Sequence, residues 1–125
     1  MTGDRVVVVD DHAGFRAVAR RVLEADGWHV VGEAVDGTSA LALAARLDPD
    51  VVLLDIGLPD HDGFAIADRL AGLVSARVVL ISSRERAAYG DRIASSAAVG
   101  FIGKGELDGK ALRRIVASRP SLDRG

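Results

Sequence analysis

The sequence predicts an α/β fold in which a parallel sheet is covered by helices on both faces. Two observations carry that expectation. Apolar runs of about four residues alternate with segments of helical period along nearly the whole chain, the pattern of repeated strand and helix units. Four of these runs also stop at polar residues: Val6 to Val9 at Asp10 and Asp11, Val51 to Leu54 at Asp55, Val78 to Ile81 at Ser82, and Ala98 to Ile102 just before Lys104. In an open parallel sheet those strand ends share one edge, so residues far apart in sequence meet in one pocket.

The first strand, about Arg5 to Asp10, leads into a helix with Phe15, Val18, Ala19, Val22 and Leu23 on one face, and Asp26-Gly27 ends it. A second strand, about Trp28 to Ala34, precedes Asp36-Gly37-Thr38-Ser39, whose oxygens can cap a helix carrying Ala40, Leu43, Ala44 and Leu47. Asp48-Pro49 closes that helix. The third strand, Val51 to Asp55, enters the turn-rich Gly57-Leu58-Pro59-Asp60, and Asp62 can cap a helix whose apolar positions include Ile66, Leu70 and Leu73. The fourth strand, Arg77 to Ile81, precedes the weakest pattern, Ser83 to Ser96, which is expected to be a short or mobile helix interrupted by Gly90. The fifth strand, Ala98 to Ile102, is followed by a helix from about Glu106 to Ala117 presenting Leu107, Ala111, Leu112, Ile115 and Val116, stopped by Pro120.

Strands buried on both faces read as continuous apolar runs, and the first, third and fourth do. The second carries His29, Gly32 and Glu33 and the fifth carries Gly100, so these are the expected edges. With right-handed crossovers the result is a flavodoxin-like doubly wound sheet, order 2-1-3-4-5. The 125 residues, 49% hydrophobic, suffice for one domain, expected over 1–125 with a core of about 5–118 and a polar tail at 119–125. Eighteen acidic against 16 basic residues exclude a general nucleic-acid or membrane-surface signature. There is no cysteine, no signal-peptide pattern and no apolar run of membrane-spanning length, so a cytoplasmic protein without disulfide or thiol chemistry is expected.

Three carboxylates at one sheet edge repel each other, so Asp10, Asp11 and Asp55 should raise a pKa or take up a hard divalent cation. Magnesium suits such a set, with the backbone carbonyl of Gly57 as a further oxygen. Asp55 is then a candidate nucleophile toward an activated phosphoryl group. Lys104 offers a point charge and Ser82 a hydroxyl to the phosphoryl oxygens.

On these residues the chain resembles the response-regulator receiver family from about Arg5 to Ala117. The motifs are Asp10-Asp11, Asp55 within LLDIGLPD, Ser82 after the fourth strand, and Lys104 within GFIGK. The resemblance implies Asp55 as phosphoacceptor, Asp10 and Asp11 as the acidic metal site for Mg2+, Ser82 as switch hydroxyl, Lys104 as phosphate contact and Phe101 as switch aromatic. It implies a histidine kinase or phosphotransfer protein as phosphoryl donor, possible homodimerisation on phosphorylation, and a switch rather than an enzyme. Two positions depart from the common pattern: Gly105 stands where many receivers have proline, and Phe101 replaces tyrosine. DDH and GFIGKGEL look like receivers of DNA-binding regulators, so DNA contact is expected only through an output domain beyond Gly125. A stand-alone receiver or phosphorelay intermediate is the alternative.

Each residue alone has a plainer reading: a cap or turn aspartate, a turn serine, a solvated lysine, a packing phenylalanine. Their conjunction outweighs these. His12 reads as a loop residue beside the site with a possible modulating role, and Arg84 and Gly57 as flanking residues able to tune water access. Trp28 and His29 read as edge-strand structure, and Arg113-Arg114 as a solvated helix face. A magnesium-dependent phosphatase of the haloacid-dehalogenase type would need an aspartate where His12 stands, and a flavin module would need a Ser/Thr-rich loop where Asp10-Asp11 stands.

Overall fold

The computed structural model describes residues 3–117, and the expected tail lies outside them. Five parallel strands, β1 (Arg5–Val9), β2 (His29–Ala34), β3 (Val51–Asp55), β4 (Arg77–Ser82) and β5 (Gly100–Gly103), form one sheet in the order β2-β1-β3-β4-β5. This is the expected flavodoxin-like topology. Between them run α1 (Ala13–Ala25), α2 (Gly37–Leu47), α3 (Gly63–Leu73) and the short α4 (Arg92–Ser95), with α5 (Gly109–Ala117) last.

The strands alternate their side chains between two cores. Val6, Val8, Leu53, Val79 and Ile81 pack with Ala19 and Leu23 of α1 and Leu112 of α5. Val7, Val9, Val52, Leu54 and Leu80 face the other way, onto Ala40 and Ala44 of α2, Ile66 and Leu70 of α3 and Ile93 of α4. All four valines of β1 and all four apolar residues of β3 are fully buried, which makes these central strands the rigid frame of the site.

Turn chemistry sets the element boundaries. Asp36 and Ser39 form a reciprocal capping box at the start of α2, and Asp62 accepts the Phe64 N–H at 3.0 Å to start α3. Gly63 has no alternative: a Cβ there would lie 2.5 Å from the Ile56 Cα. The β3 strand end and α3 can approach this closely only through glycine.

Several expectations shift. Val18 and Leu73 are not core residues, being 44% and 52% exposed. β5 begins two residues later than expected, and α5 three residues later, because Asp108 accepts the Ala111 N–H at 2.7 Å and fixes the helix start. Lys104–Glu106 instead form a 3-10 turn. The weak Ser83–Ser96 pattern resolves into a 3-10 turn at Arg86–Tyr89 and the four-residue α4, divided where Gly90 takes a φ of 56°.

Two structural readings also change. Trp28 precedes β2 and is buried rather than an edge residue, its indole N–H donating to the Gly109 carbonyl at 3.1 Å. Arg113 is not simply solvated: its guanidinium lies over the Trp28 ring and bonds Asp4 and the Asp26 carbonyl, clasping α5 to the end of α1. His29 is exposed as expected of an edge strand.

Candidate functional site

Parallel pairing carries the ends of β1, β3, β4 and β5 to one edge, with Val9 beside Leu54, Asp55 beside Ile81 and Ser82 beside Gly103. Asp10, Asp55 and Ser82 follow from these strands as the three buried polar or charged residues among those described. Such burial needs partners.

Lys104 supplies one to each of the two carboxylates. Its Nζ lies 2.6 Å from Asp10 Oδ2 and 3.4 Å from Asp55 Oδ2, and it sits over the Phe15 ring at 4.9 Å. The lysine is 16% exposed, which a solvated loop lysine would not be. Asp10 Oδ1 accepts the His12 backbone N–H at 2.8 Å, whereas Oδ2, though ion-paired to Lys104, has no aligned hydrogen bond. Asp55 Oδ1 accepts the Gly57 N–H at 3.1 Å. Asp11 is more exposed and faces the His12 ring, whose Nδ1 is 3.1 Å from oxygens of both Asp10 and Asp11. The α1 N-cap position is His12, with no side-chain cap, so the plain reading of Asp10-Asp11 as a helix start fails.

The electrostatics follow from this crowding. Burial pushes the Asp55 carboxyl above its ordinary pKa and the neighbouring Asp10 charge adds to the rise, while the Gly57 N–H and Lys104 only partly offset it. For Lys104, burial alone would lower the pKa. Its close contact with Asp10 and the charges of Asp55 and Asp10 outweigh that, and the ammonium is held more firmly than in water.

One donor atom each from Asp10, Asp11, His12 and Asp55 fall within 4.8 Å of one another. Three carboxylates in that space, one with an oxygen lacking an aligned hydrogen bond, form a donor set fit for a hard divalent cation.

Ser82 completes the edge. Its Oγ accepts the Arg84 N–H at 2.9 Å, the local turn bond that its plain reading anticipates, and it also lies 2.5 Å from the Tyr89 hydroxyl. A cleft of about 170 Å³ opens beside these groups, lined by Asp55, Ser82, Lys104, His12, Gly57, Arg84 and Tyr89. The flanking positions expected of His12, Arg84 and Gly57 are thus occupied. Phe101 stands half-buried on β5, its ring 6.2 Å from that of Tyr89.

Sequence reasoning missed three contributors. Tyr89, the only tyrosine in the chain, sits in the segment of weakest pattern, where nothing marked it as reaching Ser82. Arg16 donates to the Asp10 carbonyl at 2.7 Å while pairing with Glu33 of β2, anchoring the loop after β1. Asp60 reaches back to the Gly37 and Thr38 N–H groups, so the loop after β3 caps α2.

Compared with known proteins, residues 6–117 match the model of the response regulator receiver domain. The chain belongs to this receiver family. As a receiver it is 37% identical over 103 residues to a Pseudomonas aeruginosa protein named as a transcriptional regulator, covering 82% of this chain and 50% of that one. It is 42% identical over 108 residues to protein-glutamate methylesterase/protein-glutamine glutaminase 6 of Anaeromyxobacter dehalogenans, covering 86% of this chain and 31% of the relative. The signal receiver domain of NarL from Mycobacterium tuberculosis superposes with a TM-score of 0.83 at 38% identity, covering 92% of this chain and 97% of that domain. The chain spans half the length of the first of these curated relatives and less of the second. Receivers are the phosphorylation-responsive domains of two-component response regulators. The same receiver therefore occurs among relatives named for transcription and among relatives named for an enzymatic activity. Among the described residues no helix is long and apolar enough to cross a membrane.

Proposed function

We propose that this receiver accepts a phosphoryl group on Asp55 from a histidine kinase or phosphotransfer protein, acting as a cytoplasmic switch in transcriptional regulation and not as an independent enzyme. The observation that carries the reading is the buried Asp55 carboxylate held between the Gly57 N–H and the Lys104 ammonium, beside a second buried carboxylate, Asp10.

An Asp55 oxygen attacks the phosphorus of a phosphohistidine, an O–P bond forms as the P–N bond breaks, and the electron pair leaves with the imidazole. Asp10, Asp11, Asp55 and the Gly57 carbonyl would hold Mg2+, which would supply positive charge to the phosphoryl oxygens. Lys104 meets one of those oxygens as it moves off Asp10, and Ser82 donates its hydroxyl proton to another. The segment around Phe101 then carries the change to a protein-binding face, with homodimerisation and DNA contact through an output domain as its consequences. His12, Arg84 and Gly57 border the cleft and tune water access to the acyl phosphate.

Incubation with acetyl phosphate and magnesium, read by intact mass, tests this. One phosphoryl adduct per chain is expected, absent in Asp55→Asn. No adduct, or one that survives the substitution, would refute the reading.

A further inference from the structure

The Ser82 hydroxyl has one proton and two acceptor positions, and the structure shows two neighbours for it. The Arg84 N–H occupies one acceptor position at 2.9 Å. The Tyr89 hydroxyl, at 2.5 Å, is the other neighbour. Tyr89 belongs to the 3-10 turn Arg86–Tyr89, in the one connection from strand to strand that lacks a helix longer than four residues.

Around it the turn has few other holds. Its four residues include no buried one, and Tyr89 alone is half-buried, with its ring edge-on to Phe64 at 5.7 Å and tilted toward Phe101 at 6.2 Å. Beyond Gly90, α4 is fixed by Ile93 in the core and by Arg92, which pairs with Asp62 at 2.6 Å and lies over Phe64. The Ser82–Tyr89 contact is thus the link between the phosphoryl site and the 86–89 turn. Phe101, having no hydroxyl, cannot make such a bond itself.

We propose that Tyr89 is a positioning residue that holds Ser82 in the unphosphorylated state, and that a phosphoryl group on Asp55 competes with Tyr89 for the Ser82 proton. The inference rests on the assignment of Asp55 as acceptor. A phosphoryl oxygen has no proton at neutral pH, so Ser82 must donate to it, and that bond is charge-assisted and stronger than one to a neutral phenol. When Ser82 turns its proton from Tyr89 to the phosphoryl group, Tyr89 loses its donor, and the 86–89 turn is released from the sheet edge. Linkage requires the converse: a bond that favours the unphosphorylated state weakens binding of a phosphoryl group or its mimic.

Tyr89→Phe removes one oxygen and retains the ring that packs between Phe64 and Phe101. Beryllofluoride with Mg2+ is the probe, titrated into the wild type, Tyr89→Phe and Asp55→Asn, with backbone amide spectra and melting temperature recorded for each. The expected result is about fivefold tighter beryllofluoride binding by Tyr89→Phe, the effect of removing one competing neutral hydrogen bond. Its unliganded amides at 84–90 should already be displaced toward the wild-type complex. A residue of purely structural importance would lower the melting temperature without tightening binding. Equal or weaker binding by Tyr89→Phe overturns the proposal while leaving Asp55 as acceptor. Failure of the wild type to bind, or binding that persists in Asp55→Asn, overturns the acceptor assignment and this inference with it.

Discussion

The two halves of the proposed phosphoryl site are built differently. Asp10 and Asp55 stand at the ends of β1 and β3, whose apolar residues are fully buried between two helical layers. Ser82 and Lys104 stand where β4 and β5 give way to short turns, with Phe101 half-buried and the 83–88 stretch exposed. Packing on both faces leaves the two carboxylates little freedom, whereas the proposed readers of the phosphoryl group, Ser82 and Lys104, are attached to segments with few buried contacts. A cleft of about 550 Å³ between residues 82–87 and the Phe101 to Glu106 strand and turn lies wholly on the reading side. The proposed acceptor is tightly packed and the proposed readout loosely held.

The contrast can be broken most directly in the core. Leu54→Ala, beside the acceptor, is expected to cost about 3 to 4 kcal/mol in urea unfolding, and Phe101→Ala about 1 to 2 kcal/mol, because the half-buried ring leaves a smaller cavity. Equal costs would mean that the reading half is packed as tightly as the acceptor half. Gly63→Ala should destabilise by about 2 to 3 kcal/mol, since the added methyl meets the Ile56 backbone rather than a flexible side chain.

A smaller effect tests the electrostatics. The folded-state pKa of Asp55 is raised, so its contribution favours the fold below the unfolded pKa and is lost as pH rises through the folded pKa. Asp55→Asn should therefore raise the melting temperature at pH 7 by a few degrees, a gain that shrinks as the pH is lowered into the carboxylate range. A gain that grows with acidification would reverse the assigned cause. The least effect is expected at Asp60, whose pKa is lowered. Burial opposes that shift, and the Gly37 and Thr38 N–H groups outweigh it. The stability it lends is present above the unfolded pKa and lost as pH falls through the folded one, so Asp60→Asn should lower the melting temperature slightly at pH 7 and not at all in strong acid.

What the sequence discloses follows the same division. The continuous runs VVVV, VVLL and VVLI are strands covered on both faces, and they made the sheet order and the convergence of Asp10, Asp55 and Ser82 legible. The 83–96 segment was not, because its geometry depends on Gly90 at positive φ and on Tyr89 reaching a strand end seven residues back, neither of which leaves a periodic trace. Arg113 over Trp28 and Asp60 on the start of α2 escaped for a related reason: both join elements distant in sequence through one side chain. Helix α5 starts later than its periodicity predicts, because Glu106 and Leu107 fit a helical pattern that the Asp108 cap excludes.

On this reading phosphorylation moves one half of the site and not the other. Hydrogen exchange followed by mass spectrometry, with and without beryllofluoride and Mg2+, measures both halves at once. Altered protection across residues 83–106, with the amides of β1 and β3 unchanged, is the predicted result. Changes spread through β1 and β3, or a silent 83–106 segment in a protein that has bound the mimic, would contradict it.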